Sequence, residues 1–254
     1  MDHALETQGL RRTFGDIAAV DGIDLLVPSG SFYGFLGPNG AGKSTTIKCL
    51  TGLLRPTAGS MRILGFDPVT HPVEVKKLVG VVPEDLALFD RLTGRETLFF
   101  IGRVHGLDTA AVESRSQELL ELMDLQDAAG DIVTDYSHGM RKKLALAVSL
   151  LPAPRMLFLD EPFEGIDAVA SRQIKNLLSR FVQGGRTIFV TSHILEIVES
   201  LCDHIGVIHQ GRLVAQGPRR ELQDGAQGKS LEQIFLELVG AGEVSGQELE
   251  WLSS

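Results

Sequence analysis

Gly37-Pro38-Asn39-Gly40-Ala41-Gly42-Lys43-Ser44 has the spacing Gly-x-x-x-x-Gly-Lys-Ser, and its flanks decide the fold. Ser31 to Leu36 is an apolar run ending at Gly37 and reads as a buried strand. Ser44 to Leu53 reads as a helix stopped ahead of Arg55-Pro56. Strand, glycine-rich loop and helix in that order make a phosphate cradle. The glycines let backbone N–H groups converge on phosphate oxygens, and the helix N-terminus adds the positive end of its dipole. Lys43 is placed to reach the β- and γ-phosphates and Ser44 to ligate Mg²⁺, with Thr45 beside them in the nucleotide-binding set.

Downstream, Met156-Leu157-Phe158-Leu159-Asp160-Glu161 is an apolar strand ending in two carboxylates. Ligands of open α/β sheets sit at the carboxyl ends of strands. There Asp160 can hold Mg²⁺, and Glu161 can polarise an attacking water. Val79 to Val82 and Ile188 to Val190 read as further short buried strands, the second after a Gly184-Gly185 turn. Ile205 to Ile208 and Leu213 to Ala215 flank Gln210-Gly211 as a hairpin. Residues 1 to 30 read as short strands with turns at Phe14-Gly15-Asp16 and Pro28-Ser29-Gly30. Residues 92 to 153 carry helical spacing and few strand signals, and so read as an inserted helical lobe. Residues 219 to 254 are polar and helix-prone, with a patterned stretch from Leu231 to Val239.

Composition bounds the possibilities. With 254 residues, 43% of them hydrophobic and 22% charged, the chain can bury a full core without disulfides. A disordered chain and a disulfide scaffold are excluded. The net charge of −9 argues against generic nucleic-acid binding, which needs clustered Lys and Arg. Arg141-Lys142-Lys143 reads as a solvated basic face. Two cysteines, Cys49 and Cys202, point to a reducing compartment. The chain opens on no charged-then-apolar signal segment, and no apolar run approaches the roughly 18–20 residues that span a bilayer. A cytoplasmic protein whose membrane contact runs through a partner is expected.

Beyond the cradle, Tyr136-Ser137-His138-Gly139-Met140 opens a helical stretch and resembles the Leu-Ser-Gly-Gly-Gln signature of ABC ATPases. Asp160-Glu161-Pro162 followed by Gly165-Ile166-Asp167 resembles that family's Walker B motif and D-loop, and Thr191-Ser192-His193 its switch histidine. Order and spacing cover roughly residues 5 to 222. The chain thus resembles an ABC transporter ATP-binding subunit. The resemblance implies an α/β fold: a P-loop NTPase (RecA-like) core with an N-terminal antiparallel β subdomain and an inserted α-helical subdomain. Residues 1–84 and 155–222 would form the core, 85–154 the helical subdomain carrying the signature, and 223–254 a C-terminal helical tail.

The same resemblance implies that two ATP-binding chains close head to tail around two nucleotides, a homodimer being the simplest arrangement. Each ATP would touch the cradle of one chain and Ser137 and Gly139 of the other. His193 would contact the γ-phosphate and hold the Glu161 water, Phe14 would stack on adenine, and Asp167 would face the partner's site. Glu84 stands where the family's lid usually carries Gln, and would serve catalysis and Mg²⁺ from there. Tyr136, His138 and Met140 replace Leu, Gly and Gln of the signature. These departures, with Leu231 to Leu238, look like type-2 ABC exporters, in which the permease is usually a separate polypeptide. Leu86, Leu88, Phe89 and Leu92 are apolar enough for a groove receiving a permease helix, or for ordinary core packing. The alternative is a non-transport ABC ATPase acting as a switch in translation or DNA repair. Such proteins usually carry two ATPase halves or a long coiled-coil insertion, and this chain has neither.

Overall fold

The computed structural model describes residues 2–224 and 229–240. The first half of its architecture comes from strands that can bury only one side. His3–Phe14 (β1) turns at Gly15-Asp16 into Ile17–Ile23 (β2), with which it pairs antiparallel. Leu26–Pro28 (β3) also pairs with β1. The chain then enters Phe32–Leu36 (β4), buried at every position, and leaves it through the glycine-rich loop into Lys43–Leu50 (α1). That helix ends three residues short of the expected Leu53, with Thr51 as its C-cap. Ala58–Ile63 (β5) completes the antiparallel sheet against β1. The sequence pattern gives no strand there, because only Met61 and Ile63 of it face inward. Pro72–Leu78 (α2) leads into Val79–Val82 (β6).

Three helices come next, as the spacing over 92–153 predicts: Gly94–Val104 (α3), Thr109–Leu122 (α4) and His138–Leu150 (α5). Each starts on a side-chain cap, from Thr93, Asp108 and Ser137 respectively. The core strands resume with Met156–Asp160 (β7), Thr187–Ser192 (β8) and His204–His209 (β9), and end on Arg212–Pro218 (β10). Ala168–Gln183 (α6) and Leu195–Leu201 (α7) cross between them. Arg219–Asp224 (α8) and Leu231–Leu238 (α9) come last, and α9 buries Leu231 and Ile234. The rest of the expected tail, 241–254, lies outside the described residues.

The large sheet runs β10-β9-β4-β8-β7-β6, parallel except for the β9–β10 hairpin. Alternation along each strand divides two cores. Tyr33, Phe35, Phe158 and Phe189 face α1 and the antiparallel sheet, while Leu36, Leu157, Leu159, Ile188 and Val190 face the helices. Phe189 is the hub of the first side. Its ring stacks on Tyr33 at 5.5 Å between centroids and lies 5.2 and 5.7 Å from Phe35 and Phe158.

The basic run departs from expectation. Lys142 is 5% exposed, and Arg141 and Lys143 are half-buried. The α5 face that carries Lys142 is turned toward the end of β7, where its ammonium meets backbone carbonyls.

A Phe189→Ala variant removes the ring shared by strands β4, β7 and β8. It is expected to cost about 3–5 kcal/mol in urea unfolding, with the fold retained by circular dichroism.

Candidate functional site

Four parallel strands deliver their carboxyl ends to one edge. In register, Leu36 of β4 lies opposite Ser192 of β8, Asp160 of β7 opposite Thr191, and Val82 of β6 opposite Leu159. The residues just beyond these strand ends are therefore brought together: the loop at Gly37, His193, Glu161 and Glu84. A cleft of about 310 Å³ opens there, lined among others by Lys43, Ser44, Thr45, Glu84, Glu161 and His193. Asn39, Gly40 and Gly42 complete its loop wall. Pro38 and Ala41 of the same loop do not line it; Ala41 is buried instead.

The cradle is shaped by a residue that must be glycine. Gly42 caps α1 at a φ of 108°, and a Cβ there would collide with the carbonyl oxygen of Ala19. Behind it Lys43 is 7% exposed, and its ammonium donates to the carbonyl of Gly37 at 2.8 Å. Glu161 Oε1 is 3.6 Å from the same nitrogen. The Ser44 hydroxyl donates to Glu84 Oε2 at 3.2 Å, so the lid carboxylate sits against the expected Mg²⁺ ligand.

Glu161 is held in an uncommon conformation. Its φ is +48°, in the left-handed region that costs a non-glycine residue roughly 1–3 kcal/mol. Its N–H donates to Thr191 Oγ1 at 3.0 Å, and its carbonyl accepts from Lys142 at 2.9 Å. The carboxylate is thereby aimed into the cleft. Oε2 lies 3.0 Å from His193 Nδ1, while Oε1 is buried with no hydrogen-bond partner. A buried oxygen left bare is costly unless something else fills the position. Asp160, 3% exposed, accepts from Thr191 Oγ1 at 2.5 Å. Thr191 thus ties both acids to β8. The sequence motif contains Thr191 without assigning it a role; its place on an apolar strand beside β7 is the signal that could have found it.

The remaining expected residues lie outside the cleft lining. Ser137 is exposed and caps α5, accepting from the Met140 N–H at 3.2 Å. Gly139, in the first turn of α5, has no atom within 4 Å of where a Cβ would stand, so an incoming group has room to approach. Tyr136 donates to the Ala128 carbonyl at 2.7 Å and packs so closely on Gly94 that a Cβ there would strike its hydroxyl. Burial, with Asp131 nearby, pushes the Tyr136 phenol up from its ordinary pKa. Asp167 caps α6, accepting from Val169 and Ala170 N–H, each at 2.9 Å. The Ala170 hydrogen bond is the main reason its carboxyl lies below the ordinary carboxylate range. Phe14 is 46% exposed at the end of β1, with the Arg12 guanidinium 4.5 Å over its ring. It is absent from the cleft wall, to which Ala19 of β2 contributes. Among the described residues, no cluster of three or more His, Cys, Asp or Glu forms a ready metal cage.

Known proteins are similar to this chain in both sequence and fold. Residues 20–164 match the ABC transporter family. The chain is 40% identical over 220 residues to the daunorubicin/doxorubicin resistance ATP-binding protein DrrA of Streptomyces peucetius, covering 87% of this chain and 67% of that protein. It is 34% identical over 230 residues to the linearmycin resistance ATP-binding protein LnrL of Bacillus subtilis, covering 91% of this chain and 74% of that one. A solved ATP-binding subunit of an ABC transporter superposes with a TM-score of 0.87 at 30% identity, covering 92% of this chain and 99% of its own. The chain belongs to the ABC transporter family. Within it, the chain is an ATP-binding and ATP-hydrolysing motor subunit of the type-2 exporter kind, a class that works with membrane permeases and dimerises.

Thr191→Val keeps the shape and removes the hydroxyl shared by Asp160 and the Glu161 N–H. We expect a loss of about 1–3 kcal/mol in chemical denaturation together with reduced ATP turnover. Thr191→Ser should recover both.

Proposed function

We propose that Glu161 polarises the attacking water, that His193 holds the γ-phosphate and that water, and that Lys43 and the loop from Gly37 to Thr45 bind the phosphates. The observation that carries this reading is the bare Glu161 Oε1, buried at the cleft beside Lys43 while His193 meets the other oxygen. A water between Oε1 and a γ-phosphate would supply the missing hydrogen bond. The left-handed backbone keeps the carboxylate aimed there before nucleotide arrives, which is the preorganisation that general-base catalysis uses.

Mg²⁺ fits the charge and donors of the cleft. Glu84, Glu161 and Glu164 line it against the single cation of Lys43, so a polyphosphate alone meets net repulsion. Ser44, Asp160 and Glu84 are the residues that would hold Mg²⁺, whose charge when bound offsets that of the phosphates and carboxylates. In this reading residues 1–84 and 155–222 act as the ATP-binding core and 85–154 as the helical subdomain, with 223–254 as a tail.

Two copies of the chain close head to tail, each presenting Ser137 and Gly139 to the other's ATP; the open space at Gly139 supports this. Phe14 would stack on adenine from the rim of the cleft, and Asp167 would meet the partner from the α6 cap. The pair drives a separate permease from the cytoplasmic face of the membrane, moving substrate outward. Among the described residues no helix is long and apolar enough to cross a bilayer, so the spanning part belongs to the permease in this reading.

Of the groove residues, Leu86 and Leu88 pack partly into the core. Phe89 instead is 45% exposed and meets Phe100 edge to face at 5.0 Å. Nearby, a cavity of about 280 Å³ is lined by Leu53, Val81, Ile101 and Val148. These apolar surfaces suit a short permease helix.

Glu161→Gln should bind Mg-ATP normally and turn it over about 10²–10⁴-fold more slowly. Size-exclusion chromatography of that variant should give an ATP-dependent dimer. A variant that stays monomeric with Mg-ATP would sink the head-to-tail arrangement. Phe89→Ser with Phe100→Ser should abolish copurification of a multi-span membrane protein while sparing the ATPase rate of the isolated subunit. Retention of that partner would move the docking site elsewhere.

A further inference from the structure

Lys142 stands five residues after Ser137 in the helix that the signature opens, and it is 5% exposed. Burying an ammonium is costly unless its donors are satisfied. Here they are met by carbonyls: that of Glu161 at 2.9 Å and that of Glu164 at 2.5 Å. Among the described residues Lys142 forms no ion pair, so its charge is not there to neutralise a carboxylate in contact. Burial pushes its pKa down, while Glu164, Glu161 and Glu84 pull it back up. An apolar side chain of similar length would pack in the same place without that desolvation.

The two carbonyls explain the cation. Glu161 keeps a left-handed φ of +48° only if its surroundings over-determine it. Both of its backbone polar groups are gripped by side chains from other elements: the N–H by Thr191 of β8, the carbonyl by Lys142 of α5. The same carbonyl also accepts from the Glu164 N–H at 3.3 Å, and with the peptides on both sides of its Cα held, the Glu161 side chain points toward His193 and the cleft. Glu164, the second carbonyl, lies in the stretch that runs on to the Asp167 cap of α6. One ammonium therefore joins the signature helix to the segment that carries the acid.

We propose that Lys142 is a positioning residue for ATP hydrolysis, clamping the left-handed Glu161 peptide from the signature helix so that the carboxylate stays aimed at the attacking water. This rests on the reading of Glu161 as the group that polarises that water. Misplacing a reacting group by about 1 Å can cost on the order of 10²-fold in rate. Nucleotide binding, which uses the cradle, is left alone.

The test compares Mg-ATP hydrolysis by the wild-type chain, K142M, K142R, E161Q and the double variant E161Q/K142M. Nucleotide affinity is read with a fluorescent ATP analogue and folding by thermal melting. K142M should lower kcat by about 10–100-fold with KM and nucleotide affinity within about twofold. K142R, which keeps donors for both carbonyls, should recover most of the rate. In E161Q, where the carboxylate is already gone, adding K142M should cost nothing further in single-turnover experiments, the non-additivity of a residue that acts through another. Wild-type kcat in K142M overturns the proposal, and so does an equal loss in both backgrounds. Falls in melting temperature and affinity that account for the lost rate also overturn it. Should K142M not fold, K142Q, whose amide reaches one carbonyl, is expected to lose part of kcat at constant KM; wild-type kcat there overturns the proposal equally. If E161Q itself hydrolyses like the wild type, the reading of Glu161 fails, an outcome distinct from any failure of Lys142.

Discussion

The shared carboxyl edge of the parallel strands is the constraint on which the rest of the molecule depends. Strands β4, β8 and β7 are buried at every position, so their backbone groups must pair with one another and the middles of the strands are apolar. The acids and hydroxyls of the site, Asp160, Thr191 and Ser192, stand at the last ladder positions, where their polar atoms find one another and the cleft. The pairing of Leu36 with Ser192 and of Asp160 with Thr191 makes the strands stop together. A one-residue slip would turn Asp160 to the opposite face and separate it from Thr191. The packing around Phe189, which resists such a slip, thus contributes to site geometry from deep in the core.

At that edge the charges are poorly balanced, with Glu84, Glu161 and Glu164 set against Lys43. Lys43 spends its hydrogen bonds on the loop carbonyls of Gly37 and Pro38 while Glu161 lies near. Glu84 adds a negative charge where the family's lid more often carries an amide, and its contact is the Ser44 hydroxyl. A cleft of this kind is hostile to bare polyphosphate and becomes hospitable when cation and phosphates arrive together. In the proposed reading, a carboxylate at Glu84 makes the cleft more dependent on that shared arrival than an amide would.

Much of this is legible in the sequence, for definable reasons. The cradle announces itself because phosphate binding demands glycines and a lysine at fixed spacing, and strand β7 because parallel strands are apolar without interruption. Strand β5 is illegible because Ala58, Gly59 and Ser60 are polar or small and exposed, so the strand exists through pairing with β1. Helix α6 is easily missed between two motifs, although Ala170, Ile174, Leu178 and Phe181 keep its period. Lys142 misleads because a basic triplet on a helix is usually solvated; only the tertiary position of the β7 end reveals carbonyls waiting for a cation. Phe14 shows the converse: the sequence places it before the cradle, while the structure leaves it exposed under Arg12.

The helical lobe shares a hydrophobic core with the sheet, and at this edge polar side chains add directional contacts to it. Tyr136 fastens the start of the signature to the Ala128 carbonyl and against Gly94, anchoring that turn to its own lobe. Arg141 reaches Asp90 at 2.8 Å, in the segment that leaves β6 past Glu84. Lys142, one residue on, reaches instead to the end of β7. Adjacent residues of one helix thus touch the segment after β6 and the end of β7. A hydrophobic contact tolerates sliding, whereas hydrogen bonds from a cation to fixed carbonyls do not, being directional and lost within about an ångström. Any rotation of the lobe that strains these bonds pulls on the Asp90 segment and on the Glu161 carbonyl together. Tyr136 fits that arrangement, since it anchors the turn by a hydroxyl that a Leu would lack.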